Sequence, residues 1–219
     1  MNEISVTDIP KPDVLLATSC SPASSYAWPL YDDDPSPSTL CGADLTAPAL
    51  LSYPIPQMCL REMGWEDTPY STLVEGMAEF VSSEPTSKFS DLAAAQVEEL
   101  STRERLDPIA GGRDWQALIR CLDAVWDCED LTTVAVTKIL HRKRSDLVPI
   151  NDSLLREFYR LPTRDYDKLF VAIRRDLGND QTKSLLASLT SDRRTPSGRP
   201  MTDLRALDIV VWMHMRSVA

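Results

Sequence analysis

The chain has 219 residues, 43% of them apolar and 26% charged, and its formal net charge is −10. Those values fit one domain, or one domain with an extension, and are rich enough in apolar residues for a real core. Seven glycines against 16 prolines argue against a glycine-rich phosphate loop and against a β-barrel built on tight turns. No apolar run approaches the roughly 18 residues a membrane span needs. Met1–Pro10 carries acids without Lys or Arg, so neither a signal nor a transit peptide is expected there. Five cysteines at 20, 41, 59, 121 and 128 form no CxxC pair. No metal or other cofactor is expected from them, and the expected compartment is a reducing cytoplasm.

Residues 1–40 read as an irregular Pro/Ser/Asp-rich extension, with Ser21-Pro-Ala-Ser-Ser and Asp32-Asp-Asp-Pro-Ser-Pro-Ser as turn chemistry. Tyr26, Trp28, Leu30 and Tyr31 interrupt it, and a wholly disordered tail rarely carries such residues, so part of it is expected to pack on the domain. From residue 41 to 219 the pattern turns helical. Asp44-Leu-Thr-Ala-Pro-Ala-Leu-Leu opens like a capped helix with proline in its first turn. Leu73, Val74, Met77, Phe80 and Val81 keep helical spacing, and Ser90–Leu100 is a capped run of strong helix formers. Trp115, Leu118, Cys121, Leu122, Val125 and Trp126 make one wide apolar stripe. Val134–Leu140, Leu154–Phe158, Tyr166–Leu177 (closed by Gly178), Ser184–Leu189 and a last helix capped by Thr202 complete the list. No segment alternates with a period of two, so the expected fold is an all-α, compact multi-helix domain of eight to ten helices.

The charge is unevenly spread. Residues 1–135 hold 7 basic and 23 acidic side chains, and residues 136–219 hold 16 basic and 10 acidic ones. Either the acidic half only solubilises the chain, or the basic half meets an anion, with phosphate the obvious candidate. The most unusual stretch lies at the boundary. Helix Val134–Leu140 runs into His141-Arg-Lys-Arg144, an apolar Leu147–Ile150 segment follows, and Asn151-Asp-Ser153 stands where the next helix must begin. Structural explanations exist for each part: cations suit a helix C-terminus, and Asn151 or Asp152 caps a helix.

Pro149-Ile-Asn-Asp-Ser resembles the Pro-Ile-Leu-Asp-Gly segment that carries the catalytic aspartate of adenine DNA glycosylases in the helix-hairpin-helix superfamily. An Ile-Leu pair ends the hairpin's second helix 12 residues before that aspartate, and Leu140 stands 12 residues before Asp152. Over roughly residues 25–215 the chain also resembles an actinobacterial family of unknown function. That likeness rests on Lys138-Ile-Leu-His-Arg-Lys-Arg-Ser-Asp-Leu-Val-Pro-Ile-Asn-Asp-Ser153 and Leu204-Arg-Ala-Leu-Asp-Ile-Val-Val-Trp-Met213. The glycosylase likeness implies a monofunctional DNA glycosylase acting in DNA repair or antiviral defence, with Asp152 as the catalytic carboxylate. Its hairpin positions, Asp130, Leu131 and Thr132, lack the superfamily's glycines, and the place of a Schiff-base lysine falls near Val134. DNA is the implied partner. Lys138, His141, Arg142, Lys143, Arg144, Ser153, Arg193 and Arg194 would hold phosphates. Trp115, Asn151, Tyr159, Arg205, Asp208 and Trp212 would shape a base pocket. Other readings stay open: a non-catalytic helical module binding nucleic acid or protein, or an interaction factor whose acidic half mimics DNA.

Overall fold

The computed structural model describes residues 4–21, 26–64, 66–83, 88–89, 112–161 and 166–218. Among them every regular element is helical. The α-helices are α1 (Pro12–Ser19), α2 (Trp28–Asp32), α3 (Gly42–Thr46), α4 (Gln57–Glu62), α5 (Pro69–Ser82), α6 (Gly112–Ala124), α7 (Thr133–Lys143), α8 (Ser153–Phe158), α9 (Tyr166–Gly178), α10 (Asp180–Thr190) and α11 (Asp203–Val218). Short 3-10 turns add Val6–Asp8, Ala47–Leu51 and Val125–Asp127, and the one extended pairing is an isolated bridge from Arg194 to Pro200. The expected helix at Ser90–Leu100 lies outside the described residues.

Local chemistry accounts for the helix starts. Thr68 caps α5 through the N–H of Ser71 at 3.0 Å, and Pro69 supplies a helix-ready first residue. Asn179 caps α10 through the N–H groups of Gln181 and Thr182, so this helix starts four residues earlier than the apolar pattern alone indicated. Around Asp44 the expectation was close in place but not in detail. The helix starts at Gly42, and Asp44 sits at its third position, where Oδ2 accepts the Cys41 N–H at 2.8 Å.

Two helices organise the interior. α11 packs against α1, α8 and α10, and α7 packs against α3, α5, α6 and the 47–51 turn. The N-terminal segment ties the two together, as its aromatic residues suggested, although residues 1–40 were otherwise expected to be irregular. It contains two helices, and Val6, Ile9, Leu16, Trp28 and Tyr31 are core residues. Its first turn is held by Asp176, whose carboxylate accepts from Ser5 Oγ (2.6 Å), the Val6 N–H (2.9 Å), Tyr159 Oη (2.9 Å) and Thr182 Oγ1 (2.8 Å). A carboxylate satisfied by four donors can be buried without a cationic partner.

Helix α7 is buried on every side from Ala135 to Lys143. Helices closed off all round are normally apolar, and this one is not. The polar heads at its C-terminal end must therefore find partners inside the protein.

Candidate functional site

The cationic run does find them. Arg142 donates from Nε to Asp44 Oδ1 at 2.9 Å, and its remaining nitrogens reach the carbonyls of Leu30, Tyr31 and Asp33 at the end of α2. Lys143 Nζ has three acceptors for three N–H bonds: Asp34 Oδ1 (3.0 Å), Asp44 Oδ2 (2.7 Å) and the Ser36 carbonyl (3.1 Å). Arg144 lies 3.4 Å from both Asp114 and Asp146. Burial pushes the Asp44 carboxyl up, but the Lys143 ammonium and the Cys41 N–H outweigh it and hold the group below the usual carboxylate range. His141 is fully buried. Its Nδ1 lies 2.5 Å from the Val148 carbonyl and must carry the proton, and its Nε2 meets no partner among the described residues. Burial and the charge of Arg205 drive its pKa down to about 3.

These positions correct the phosphate-contact expectation for His141, Arg142, Lys143 and Arg144. A cation spent on an internal carboxylate, with Lys143 only 3% exposed, has nothing to offer a DNA backbone. The uneven charge of the sequence has the same explanation: carboxylates of the acidic half, Asp32, Asp34, Asp44 and Asp114, meet cations of the basic half inside the fold. Three of the named residues do face outward. Ser153 and Arg194 are exposed and Arg193 is half-buried. The 193–200 loop is pinned by the Thr195 N–H on the Arg199 carbonyl at 2.8 Å.

Lys138 and Asp152 belong to a different place, a cavity of about 370 Å³ between α7, α8, α11 and the 26–28 and 50–52 segments. Asp152 is the N-cap of α8, with Oδ1 accepting the Leu154 N–H at 2.8 Å. Its Oδ2 lies 3.4 Å from Lys138 Nζ, which also donates to the Leu51 carbonyl at 2.8 Å. Both oxygens are thus engaged, Oδ1 by the cap and Oδ2 by Lys138, while the residue lines the cavity with its side chain 14% exposed. Burial lowers the Lys138 ammonium below its ordinary value. Tyr26, Trp28 and Trp212 line the same cavity, with edge-to-face contacts from Trp212 to Trp28 (5.1 Å) and to Tyr26 (5.6 Å). Asp208 lines it as well and accepts from Arg205 at 2.6 Å.

The chain belongs to the family of unknown function DUF6308. The family model covers residues 21–215. No curated protein and no solved structure matches the chain. The family carries no activity with it, and no comparison links its members to helix-hairpin-helix glycosylases or to actinobacteria.

Of the six residues expected in a base pocket, only Asp208 and Trp212 line the cavity. Trp115 is core, wedged against Phe89 and Phe170 with ring centroids 5.9 and 6.2 Å away. Tyr159 is occupied by Asp176. Asn151 is buried in the turn, where its amide donates to Thr133 Oγ1 at 2.8 Å and its N–H to Thr137 Oγ1 at 3.0 Å. Arg205 stands behind Asp208 and bonds Asp32. Tyr26, Trp28, Leu51 and Ser52 line the cavity without having been singled out as site residues. Aromatic residues in an otherwise Pro/Ser-rich segment were the available signal. A second cavity of about 580 Å³ is lined by Lys88, Arg144, Arg199, Asp146 and Asp203 among others. Arg144 there is already engaged by Asp114 and Asp146. Among the described residues no group of His, Cys, Asp and Glu could hold a metal ion, and no helix is long and apolar enough to cross a membrane.

Proposed function

We propose that this chain is a monofunctional hydrolase of N-glycosidic bonds that releases a modified base from DNA, with Asp152 as its essential carboxylate. One observation carries the reading: a carboxylate held by a helix cap and by Lys138 lines an aromatic-walled cavity of about 370 Å³. Breaking a C–N glycosidic bond builds positive charge on the sugar. A fixed carboxylate beside that sugar stabilises the charge and orients the attacking water. Trp28, Trp212 and Tyr26 offer ring faces and edges to a base taken out of the stack. Lys138 holds Oδ2 in place. Arg193 and Arg194 of the outer loop, and the exposed Arg216 at the cavity edge, are cations available to phosphates.

The test is release of bases from oligonucleotides carrying a panel of modified bases, read as abasic sites. Wild-type protein produces them. Asp152→Asn lowers the rate by about 100-fold or more and keeps the cap of α8, because asparagine caps a helix as well as aspartate does. Loss of the pair with buried Lys138 lowers its melting temperature, so the rate is read at a temperature where the variant is folded. Undiminished release by that variant would refute the role of Asp152. The double engagement of Asp152, by the cap and by Lys138, favours a second reading in which the cavity binds without chemistry. Salt-sensitive DNA binding with no release from any substrate would select it.

A further inference from the structure

Asp208 is 2% exposed, lines the Asp152 cavity, and sits on α11 with Oδ2 held by Arg205 Nη1 at 2.6 Å. The charged and titratable groups around it are Arg205 on its own helix, Asp152 at the cap of α8, Lys138 on α7, and Asp32 and Tyr31 on α2. Arg205 is shared, for its Nε lies 2.9 Å from Asp32 Oδ1. Asp32 has the further charges of Arg142 and Arg199 near it, whereas the cations beside Asp208 are Arg205, shared with Asp32, and Lys138, paired with Asp152. A buried carboxyl whose cations are shared with other carboxylates favours its protonated form. Of the two carboxyls that line the cavity, Asp208 is the less exposed. The cavity holds a second unfilled group: Trp28 is 4% exposed, and its indole N–H meets no acceptor among the described residues.

We propose that Asp208 is the general acid of this site, a carboxyl that carries its proton on Oδ1 and gives it to the departing base. The inference rests on the glycosidase reading of the cavity and assigns the second half of the reaction. As the C–N bond breaks, its electron pair stays on the base and the Asp208 proton neutralises it. Water adds its oxygen to the sugar carbon and yields one proton to the Asp152 carboxylate. Return of that proton from Asp152 to Asp208 restores the starting state, and one water has been added across the bond. Burial, reinforced by the charge of Asp152 and opposed by Arg205, lifts the Asp208 carboxyl to about 7, which suits a group that must hold and release a proton near neutrality.

The experiment compares two oligonucleotides, one carrying hypoxanthine, which leaves as an anion unless protonated, and one carrying 7-methylguanine, whose cationic base leaves as a neutral molecule. With hypoxanthine the wild-type rate falls as pH rises through about 7, the Asp208 value. With 7-methylguanine that alkaline limb is absent. Asp208→Asn loses about 100-fold on hypoxanthine and little on 7-methylguanine, and Asp208→Glu restores part of the first rate. If Asp208→Asn does not fold, the two wild-type pH profiles decide alone. The same alkaline limb on both substrates, or equal losses on both in the variant, overturns the role of Asp208 and leaves the glycosidase reading intact. No release of either base, or of any base in the wider panel, overturns that reading itself and this inference with it.

Discussion

Two buried charge clusters lie one turn apart on the same helix and differ in which sign is in excess. In the seam at the end of α7, Arg142, Lys143 and the half-buried Arg199 face Asp34 and Asp44, three cations against two carboxylates, and the Lys143 ammonium has an acceptor for each of its hydrogens. One turn back along the same helix, Lys138 shares a cavity wall with Asp152 and Asp208, and the cations beside Asp208 are shared with other carboxylates. Both clusters border a cavity. Residue types are the same in both, so the balance of charge, rather than composition, separates a clasp from a candidate site here.

The largest effect expected from that contrast is in the seam. Asp44→Ala leaves Arg142 and Lys143 partly uncompensated in the interior and removes the bond to the Cys41 N–H. It should cost about 3–5 kcal/mol, enough to unfold a marginal domain, and urea or thermal unfolding reads it directly. If Asp44→Ala melts like wild type, the seam is not the clasp that the geometry indicates.

That seam was also the hardest part to read. The run His141–Arg144 stood out in the sequence, but its residue types point outward by default, because Lys and Arg are almost never fully buried unless paired. The pairing depends on Asp34 and Asp44, about a hundred positions away, the first in a segment that reads as loop and the second at what reads as a helix start. Helix periodicity, by contrast, is local. α5, α6, α7, α9 and α11 were legible because burial of one face repeats every 3.6 residues. Trp126 shows the limit of that reasoning: it continues the apolar stripe of α6 in sequence, but the backbone tightens into a 3-10 turn at Val125, and the ring is 71% exposed. At the candidate site, Asp152 was legible as a cap beside a basic helix. The aromatic wall from Tyr26 and Trp28 was not, since it depends on how the N-terminal segment folds back over α11.

A middle-sized effect concerns acid. Buried neutral His141, with its pKa near 3, takes up a proton in the unfolded chain well before it does so in the folded one. Its contribution is intact above its ordinary value near 6.5 and erodes as pH falls towards 3. Asp208 works with the opposite sign. Its folded value near 7 exceeds the ordinary 3.8, so the folded state binds the extra proton, and stability rises as pH falls from about 7 towards 4. The raised Asp32 carboxyl adds to Asp208. Between pH 7 and 5 the two effects oppose each other, and wild-type stability should change little. His141→Gln should then become more stable over that interval, and Asp208→Asn less stable, as read by urea midpoints at each pH. Parallel slopes in both variants would show that the two groups do not set the acid response.

The smallest effect lies at the turn before α7. Asp130 holds a left-handed backbone with φ 60°, the conformation a glycine would favour, at the first of the three positions where the glycosylase likeness expects a glycine-rich hairpin. The turn keeps its shape because its neighbours are anchored: the Glu129 carbonyl accepts from Tyr70 Oη and Cys59 Sγ, and the Leu131 N–H bonds the Cys128 carbonyl at 3.4 Å. An aspartate tolerates this region at a modest cost. Asp130→Gly removes that strain but frees the unfolded chain, so the net gain should not exceed about 1 kcal/mol. The same variant asks something the seam and the cavity do not. Aspartate at this exposed turn adds a negative charge where a phosphate would approach, so if duplex DNA docks there, Asp130→Gly should tighten binding and steepen its dependence on salt. Unchanged affinity would direct the search for the strand to the loop of Arg193 and Arg194.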